Sequence, residues 1–367
     1  MTRAFVYGSI LVLTLVGCTQ QEAPAPTLAR TIVLEGVRGT RPDVGVPGRF
    51  DHMAYDPATQ RLFVAALENG SLEVLDLEKG VRVKSITGLK QPQGLAIVPT
   101  ISCVALACGG DGRLHAYDTR TLEEKAVVEV GPDADNVRYD AKANLVYVTY
   151  GTTETGAVAV LDPRTWQKVR EIPFTSRPES FQLEPAGKRL FANLPAGVRA
   201  VKDGAVAIAD RDSGRIEAEV PLKGIARNFP MAFDAGHDRL FVASRWPARL
   251  IEIDTRRNVV LDQSPCTDDS DDLFYDAKTN RVMVIGGGFR PDLQDASQVS
   301  TVSPPGEMGA IDVFAVGPQG ELTRIVTTPT AIHARTGLFV PVRRALYLAV
   351  PQRDGRDPEI REYRVAD

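Results

Sequence analysis

Five residues able to ionise or to exchange hydrogen bonds stand at one position of a repeated pattern: Asp51, Gln93, Asp135, Glu179 and Asp271. Beside that position are His52, Asn136, Asn228, Asp272 and Arg335. If the repeat closes on itself, symmetry brings these side chains around one axis. A ring of carboxylates holds a hard cation through oxygen. Arginines among them clamp a carboxylate or phosphate through two parallel hydrogen bonds. The sharper chemistry is a metal site. Its ligands would be Asp51, His52 and Asp271 or Asp272, with Glu179 or Asn136 completing the shell, and Ca, Mg or Zn as the candidate cations. No motif demands a cofactor. Asp, Asn and Ser also favour turns, because their side chains bond nearby backbone groups. Taken singly, each of these residues therefore reads first as a turn residue, and only the set speaks for a site.

Other chemistries are missing from the sequence. There is no C-x-x-C or C-x-x-C-H, so no thiol redox or haem-attachment motif. G-x-S-x-G, H-E-x-x-H, a Walker A loop and a dinucleotide fingerprint are also absent. The net charge is −4, with both signs interspersed and no long basic run. No nucleic-acid partner is expected from that charge pattern. Cys103 and Cys108 lie in one apolar run. As a strand, that run sets them about 16 Å apart, well beyond disulfide reach.

The element that would position the polar set is a repeat. Seven segments align, beginning DHMAYDPATQRLFVA at Asp51 and ending TGLFVPVRRALYLAV at Thr336. The position of Asp56 recurs at Val98, Asp140, Glu184, Asp234, Asp276 and Val340, a spacing of 42, 42, 44, 50, 42 and 64 residues. A period in the low forties built of strand-like runs predicts propeller blades of four strands. In the first unit, Met53 and Tyr55 alternate with polar neighbours, Leu62 to Leu67 is an apolar run, and Asn69-Gly70 is a hairpin signal. The seventh unit runs out of chain before its fourth strand. Arg30 to Leu34 is a β-run with no unit of its own. We therefore expect an all-β, seven-bladed β-propeller spanning 29–367, its last blade closed by the N-terminal strand. Closure removes two sheet edges that would otherwise invite aggregation.

RLFVAAL, LVYVTYG, RLFANL and RLFVASR, each after a turn of the D-P or D-A-K type, resemble the YVTN-type β-propeller repeat family. The resemblance covers Arg30 to Val365. It implies a fold found in exported and surface proteins of bacteria, with the site on the rim where the innermost strands begin. Gly286 to Gly309 departs from the repeat by inserting some twenty residues, and is expected to rise from the same rim.

The first residues differ from the rest. Arg3 is followed by an apolar run from Ala4 to Leu15, too short to span a bilayer but suited to a signal-peptide core. It ends in Leu15-Val16-Gly17-Cys18, which resembles the bacterial lipobox. That resemblance implies that 1–17 is a lipoprotein signal peptide, that Cys18 carries lipid, and that 18–28 is a polar tether. No Asp follows Cys18, which in Gram-negative lipoproteins favours the outer membrane. The expected place is the periplasmic side of the cell envelope, with the membrane as a partner through the anchor. The function expected first is non-enzymatic binding of a peptide, protein or small anionic ligand at the rim. The alternative is a metal-assisted, lactonase-like hydrolase using the rim carboxylates.

Overall fold

The computed structural model describes residues 24–38, 49–152, 154–195, 203–288, 308–353 and 355–367. The signal segment, Cys18, most of the tether and 289–307 of the insertion lie outside the described residues. Seven four-stranded antiparallel sheets make a seven-bladed propeller. The first blade runs Met53–Asp56, Arg61–Ala66, Ser71–Asp76 and Val81–Thr87 from the axis outward. The other innermost strands are Pro92–Val98, Val137–Asp140, Phe181–Leu183, Ala226–Asp234, Ser270–Asp276 and Thr336–Val340. Each touches the next, and the last touches the first, so the ring is closed.

The closure is the one expected from the missing strand. Thr27–Val33 is the outer strand of the seventh blade, antiparallel to Glu359–Arg364, with Thr27 opposite Arg364 and Val33 opposite Glu359. Arg30 pins it from the side by pairing with Glu362 and donating to the Leu77 carbonyl of blade one at 2.7 Å. The N-terminal strand thus bonds the last blade and touches the first.

Turn chemistry explains why the units fold locally. Asp56, Asp140 and Asp276 end innermost strands, and each accepts the backbone N–H two residues on, at 3.0, 2.9 and 3.2 Å. These are Asx turns. Asp76, Asp118 and Asp210 cap the turn between the third and outer strands of their blades in the same way. In every blade the pairing between third and outer strand, or its equivalent in the seventh, slips once, for example at Val74/Leu75 and Val160/Leu161. Such bulges increase the local twist that a blade needs.

The core is not one body but seven. Each apolar cluster lies between two adjacent blades. Phe63, Leu72 and Val74 of blade one meet Leu95, Val104 and Leu106 of blade two, and Tyr347 and Ile360 of blade seven meet Leu62 and Val64 of blade one. Cys103 and Cys108 are free and buried on one strand, Cys103–Cys108, as small apolar residues. No helix among the described residues is long and apolar enough to cross a membrane.

One buried charge stands out within these cores. Glu252, on Ala248–Asp254, is 0% exposed. Arg239 Nε lies 3.1 Å from its Oε1, yet neither oxygen has a hydrogen bond of good geometry. Burial pushes its carboxyl up to about 7, against the pull of Arg239 and with a push from Asp262. An acid whose pKa rises on folding stabilises the fold while protonated, below its ordinary 4.5, and that contribution is lost as pH rises through about 7. The loss is on the order of 3 kcal/mol. Glu252→Gln should therefore gain stability relative to the parent between pH 5 and 8, which urea melts across that range would read. Parallel stability–pH curves for the two proteins would rule the account out.

Candidate functional site

The seven innermost strands enclose a central channel of about 540 Å³. Its shaft is mostly apolar, with Leu95, Ile97, Val137, Met231, Leu273 and Phe339 among its walls. Tyr55, Tyr139 and Tyr275 stand toward the end where the innermost strands finish, each bonded by its hydroxyl to an amide oxygen, on Gln60, Asn144 and Asn280. The opposite mouth, where these strands begin, is charged.

The backbone sets that mouth. Asp51 donates its N–H to the Ala65 carbonyl at 3.0 Å, and Ala65 donates to His52 at 3.0 Å. Asp135 and Asn136 make the same pair of bonds with Thr149, and Glu179 and Ser180 with Asn193, at 2.9 to 3.0 Å. Repeat-equivalent residues are therefore held in one register by repeat-equivalent bonds. Two residues earlier the chain turns through the left-handed region at Asp133 (φ 51°) and Asp269 (φ 56°). A short polar side chain tolerates this conformation better than a bulky one does. Gly94 lets blade two close on this edge: a Cβ there would meet the Asp135 carbonyl oxygen at 2.2 Å.

The side chains form two ion-pair knots. In one, Arg177 reaches Asp133 at 2.6 Å, Asp135 at 2.7 Å and Glu179 at 3.5 Å. In the other, Arg335 lies 2.6 Å from both Asp269 and Asp271, and Arg245 also donates to Asp271. Between the knots sits His52, with Nδ1 3.6 Å from Asp272 Oδ1. Asp272 accepts the Gly337 N–H with its other oxygen at 2.9 Å. Ligand atoms of Asp51, His52 and Asp135 all lie within 4.8 Å of one another. Residues 84 positions apart in sequence thus meet across the mouth, as the aligned positions predict.

These neighbours move the ionisation of each group. Burial pushes Asp51 up to about 7, with Asp135 and Asp271 adding to it and His52 and Arg49 opposing. Burial works against a charge on His52, but Asp51 and Asp272 outweigh it and raise the imidazole to about 10. Glu179 is also pushed up to about 7 by burial, against Arg177. Asp271 goes the other way: burial would raise it, but Arg245, Arg335 and Arg49 hold it near 2.

The ten residues expected at the rim divide. His52, Asn136, Asp271 and Asp272 line the channel. Asp51 and Asp135 join His52 in the central cluster. Glu179 and Arg335 belong to the two knots. Gln93 and Asn228 turn to their neighbours instead: Gln93 donates to Asp133 at 3.1 Å, and Asn228 to Asn193 Oδ1 at 2.9 Å and the Ala205 carbonyl at 3.0 Å. In the expected metal set, Asp271 is taken up by its two arginines, and Asp135 stands with Asp51 and His52 in its place.

Three residues escaped the sequence reading. Arg245 ends a second strand, where nothing in the repeat marks it as facing the mouth. Arg138 and Gln182 line the channel. They occupy the repeat position held by Ala54, Ala96, Ala232, Phe274 and Leu338 in the other units, and that contrast was visible in the alignment. Arg138 donates to its neighbour's carbonyl, Val137 O, at 2.9 Å and lies over the Phe181 ring at 5.6 Å. Among the described residues, no carboxylate is within ion-pair distance of it. Burial lowers its guanidinium below the usual range, while Asp272 and Asp135 pull it back.

Fold and mouth together define a seven-bladed propeller with a charged, ion-paired entrance to an apolar channel. No family model matches the chain. Antigen Lp49 of Leptospira interrogans is 28% identical over 137 residues, which is 36% of this chain and 30% of that protein. The chain thus matches less than a third of that relative's length. Among solved structures, one from a mitotic checkpoint complex superposes with a TM-score of 0.70 at 12% identity, over 100% of this chain and 99% of that one. The hydrazine synthase of Kuenenia stuttgartiensis gives 0.69 at 16% identity, over 87% and 99%. At these identities the likeness establishes the propeller fold.

The first knot makes a direct prediction. Removing one partner of a buried ion pair costs about 3 kcal/mol or more, because the other charges stay buried. Arg177 is 22% exposed and serves three carboxylates. Arg177→Met should therefore lose about that much stability in urea, and Asp135→Asn in the same background should recover part of it. Equal midpoints for parent and Arg177→Met would show that the knot is solvated and carries nothing.

Proposed function

We propose that this chain is a non-enzymatic binding propeller of the cell envelope, held to a membrane by lipid on Cys18. Its ligand is a small molecule with an anionic head and an apolar body. The head enters at the charged mouth and the body lies in the channel. The YVTN-type repeat motifs and the lipobox-like ending of the first segment support export. So does the partial likeness to a protein named an antigen, since antibodies meet exported proteins.

One observation carries the ligand class. Arg335, Arg245 and Arg177 already have carboxylate partners, and Arg49 has Glu68 at 2.9 Å. Arg138 faces the channel beside a backbone carbonyl and a ring, with no carboxylate at ion-pair distance among the described residues. A half-buried cation with no counter-charge in direct contact is costly, and an anionic ligand would supply one. The channel volume of about 540 Å³ falls within the usual range for small-molecule sites, and its apolar walls with a few placed polar groups fit that class too.

The test uses straight-chain carboxylates and their amides, octanoate and octanamide among them, in thermal-shift and calorimetric titrations. The carboxylate should raise the melting temperature more than the amide does. Arg138→Met should lose that difference, with affinity falling about tenfold or more, as for the loss of a charge-assisted hydrogen bond. Equal binding by Arg138→Met, or a ligand found only among large peptides, would overturn the reading. The anchor is tested separately. Cys18→Ser should move the protein from the membrane pellet to the soluble fraction of the envelope, and its retention in the pellet would refute lipidation.

A further inference from the structure

The mouth holds more oxygen acceptors than it has donors for. Asp51 Oδ2 is buried and, among the described residues, has no hydrogen-bond partner. Asn136 is 3% exposed, and its amide oxygen is also buried without a partner. Its amide nitrogen donates to Asp135 Oδ1 at a long 3.3 Å, so this side chain lies against one member of the Asp51–His52–Asp135 cluster. His52 stands against Asp51 within the cluster, but the nearby arginines are engaged elsewhere. Arg177 is committed to Asp133, Glu179 and the far oxygen of Asp135, and Arg49 is drawn off by Glu68. Buried acceptors are nearly always satisfied. One such oxygen belongs to Asp51, whose ligand atom lies within 4.8 Å of those of His52 and Asp135, and the other belongs to the Asn136 side chain that bonds Asp135; together they mark a place for something positively charged and small.

We propose that Asp51, His52, Asp135 and the Asn136 amide oxygen form a binding site for a divalent cation of the first transition row. Two carboxylates, an imidazole and an amide oxygen carry two negative charges when the imidazole is neutral, which balances a dication. An imidazole nitrogen among oxygen donors favours Zn²⁺ or Mn²⁺ over the all-oxygen shells of Ca²⁺ and Mg²⁺. His52 and Asn136 both line the channel, so the remaining coordination positions of the ion would open toward it. Asp271 is not a ligand, since Arg335 and Arg245 hold it.

The experiment uses the full mature chain without a histidine tag, stripped with EDTA and dialysed against Zn²⁺, Mn²⁺ or Ca²⁺ alone. Bound metal is counted by mass spectrometry. The expected result is saturable binding of Zn²⁺ or Mn²⁺ near one ion per chain. Asp51→Asn and Asn136→Leu should weaken it on the order of tenfold or more, and Asn136→Asp and Asp271→Asn should keep it. Circular dichroism melts confirm that each variant is folded, and Asn136→Asp guards against a misfolded loss variant because it must bind at least as well as the parent. No saturable binding by the folded parent, binding of Ca²⁺ alone, or full binding by Asp51→Asn would each overturn the site. Because only the metal is the probe, these outcomes are independent of whether Arg138 reads an anion.

Discussion

Apolar packing between neighbouring blades is the interaction on which everything else rests. A single four-stranded sheet has two faces, and neither is covered within its own unit. Phe63 and Val74 find cover only against Leu95 and Val104 of the next blade. The same holds at each of the seven junctions, including the one that Tyr347 and Leu62 make between the last blade and the first. Each interface therefore depends on the ring, and the ring depends on its seam. At that seam Thr27–Val33 completes the seventh sheet and Arg30 reaches across to blade one. Closure turns a linear repeat, whose stability would be a sum of neighbour terms, into a cycle without free ends.

Closure also explains the charged mouth. Once seven strands start around one axis, whatever stands at their first positions must meet. Asp51 and Asp135 come from blades one and three, yet their ligand atoms are within 4.8 Å. Four carboxylates brought together would repel one another and resist burial. The chain offsets this with arginines drawn from the connections, Arg177 and Arg335, and from the end of a second strand, Arg245. The divergence of Asp271 from Asp51 and Glu179 follows. Asp271 faces two guanidinium groups and ionises easily, whereas at Asp51 burial outweighs His52 and at Glu179 it outweighs Arg177, with Asp135 and Asp271 adding to both, so these two hold their protons toward neutrality.

Much of this was legible in the sequence because it depends on periodicity. The position of Asp56 recurring at Asp140 and Asp276 marked both the blade and its turn, and the turn bonds are there. The missing last strand and the spare first one pointed at the seam. The alignment set Asp51 and Asp135 at one repeat position with His52 beside the first, but it did not single out Asp135 over Asp271 as their partner. What the repeat could not show was direction. Gln93 and Asn228 share the rim positions but turn into the neighbouring blade, because Asp133 and Asn193 offer them partners there. Those partners come from other strands, so no local pattern encodes the choice. Arg245 was hidden for the same reason.

The carboxylates of this chain thus serve two physically different ends. At the end where innermost strands finish, Asp56, Asp140 and Asp276 bond the backbone of their own turns with one oxygen, and their other oxygens take Thr59, Arg211, and Thr279 with Arg344. At the end where those strands begin, backbone bonds fix the main chain of Asp51, Asp135 and Glu179 and leave their side chains free to face the axis. A fold needs only the first arrangement. The second leaves specific groups unmatched: the Asp51 and Asn136 oxygens on one side and the Arg138 guanidinium on the other. Unmatched acceptors and an unmatched cation on one channel wall do not cancel each other, because the donor lies below the mouth and the acceptors lie in it. A cation above and an anion below would complete both, and one bound beside the other would strengthen its neighbour. On the proposed reading, the mouth would take a cation and the channel below it an anion.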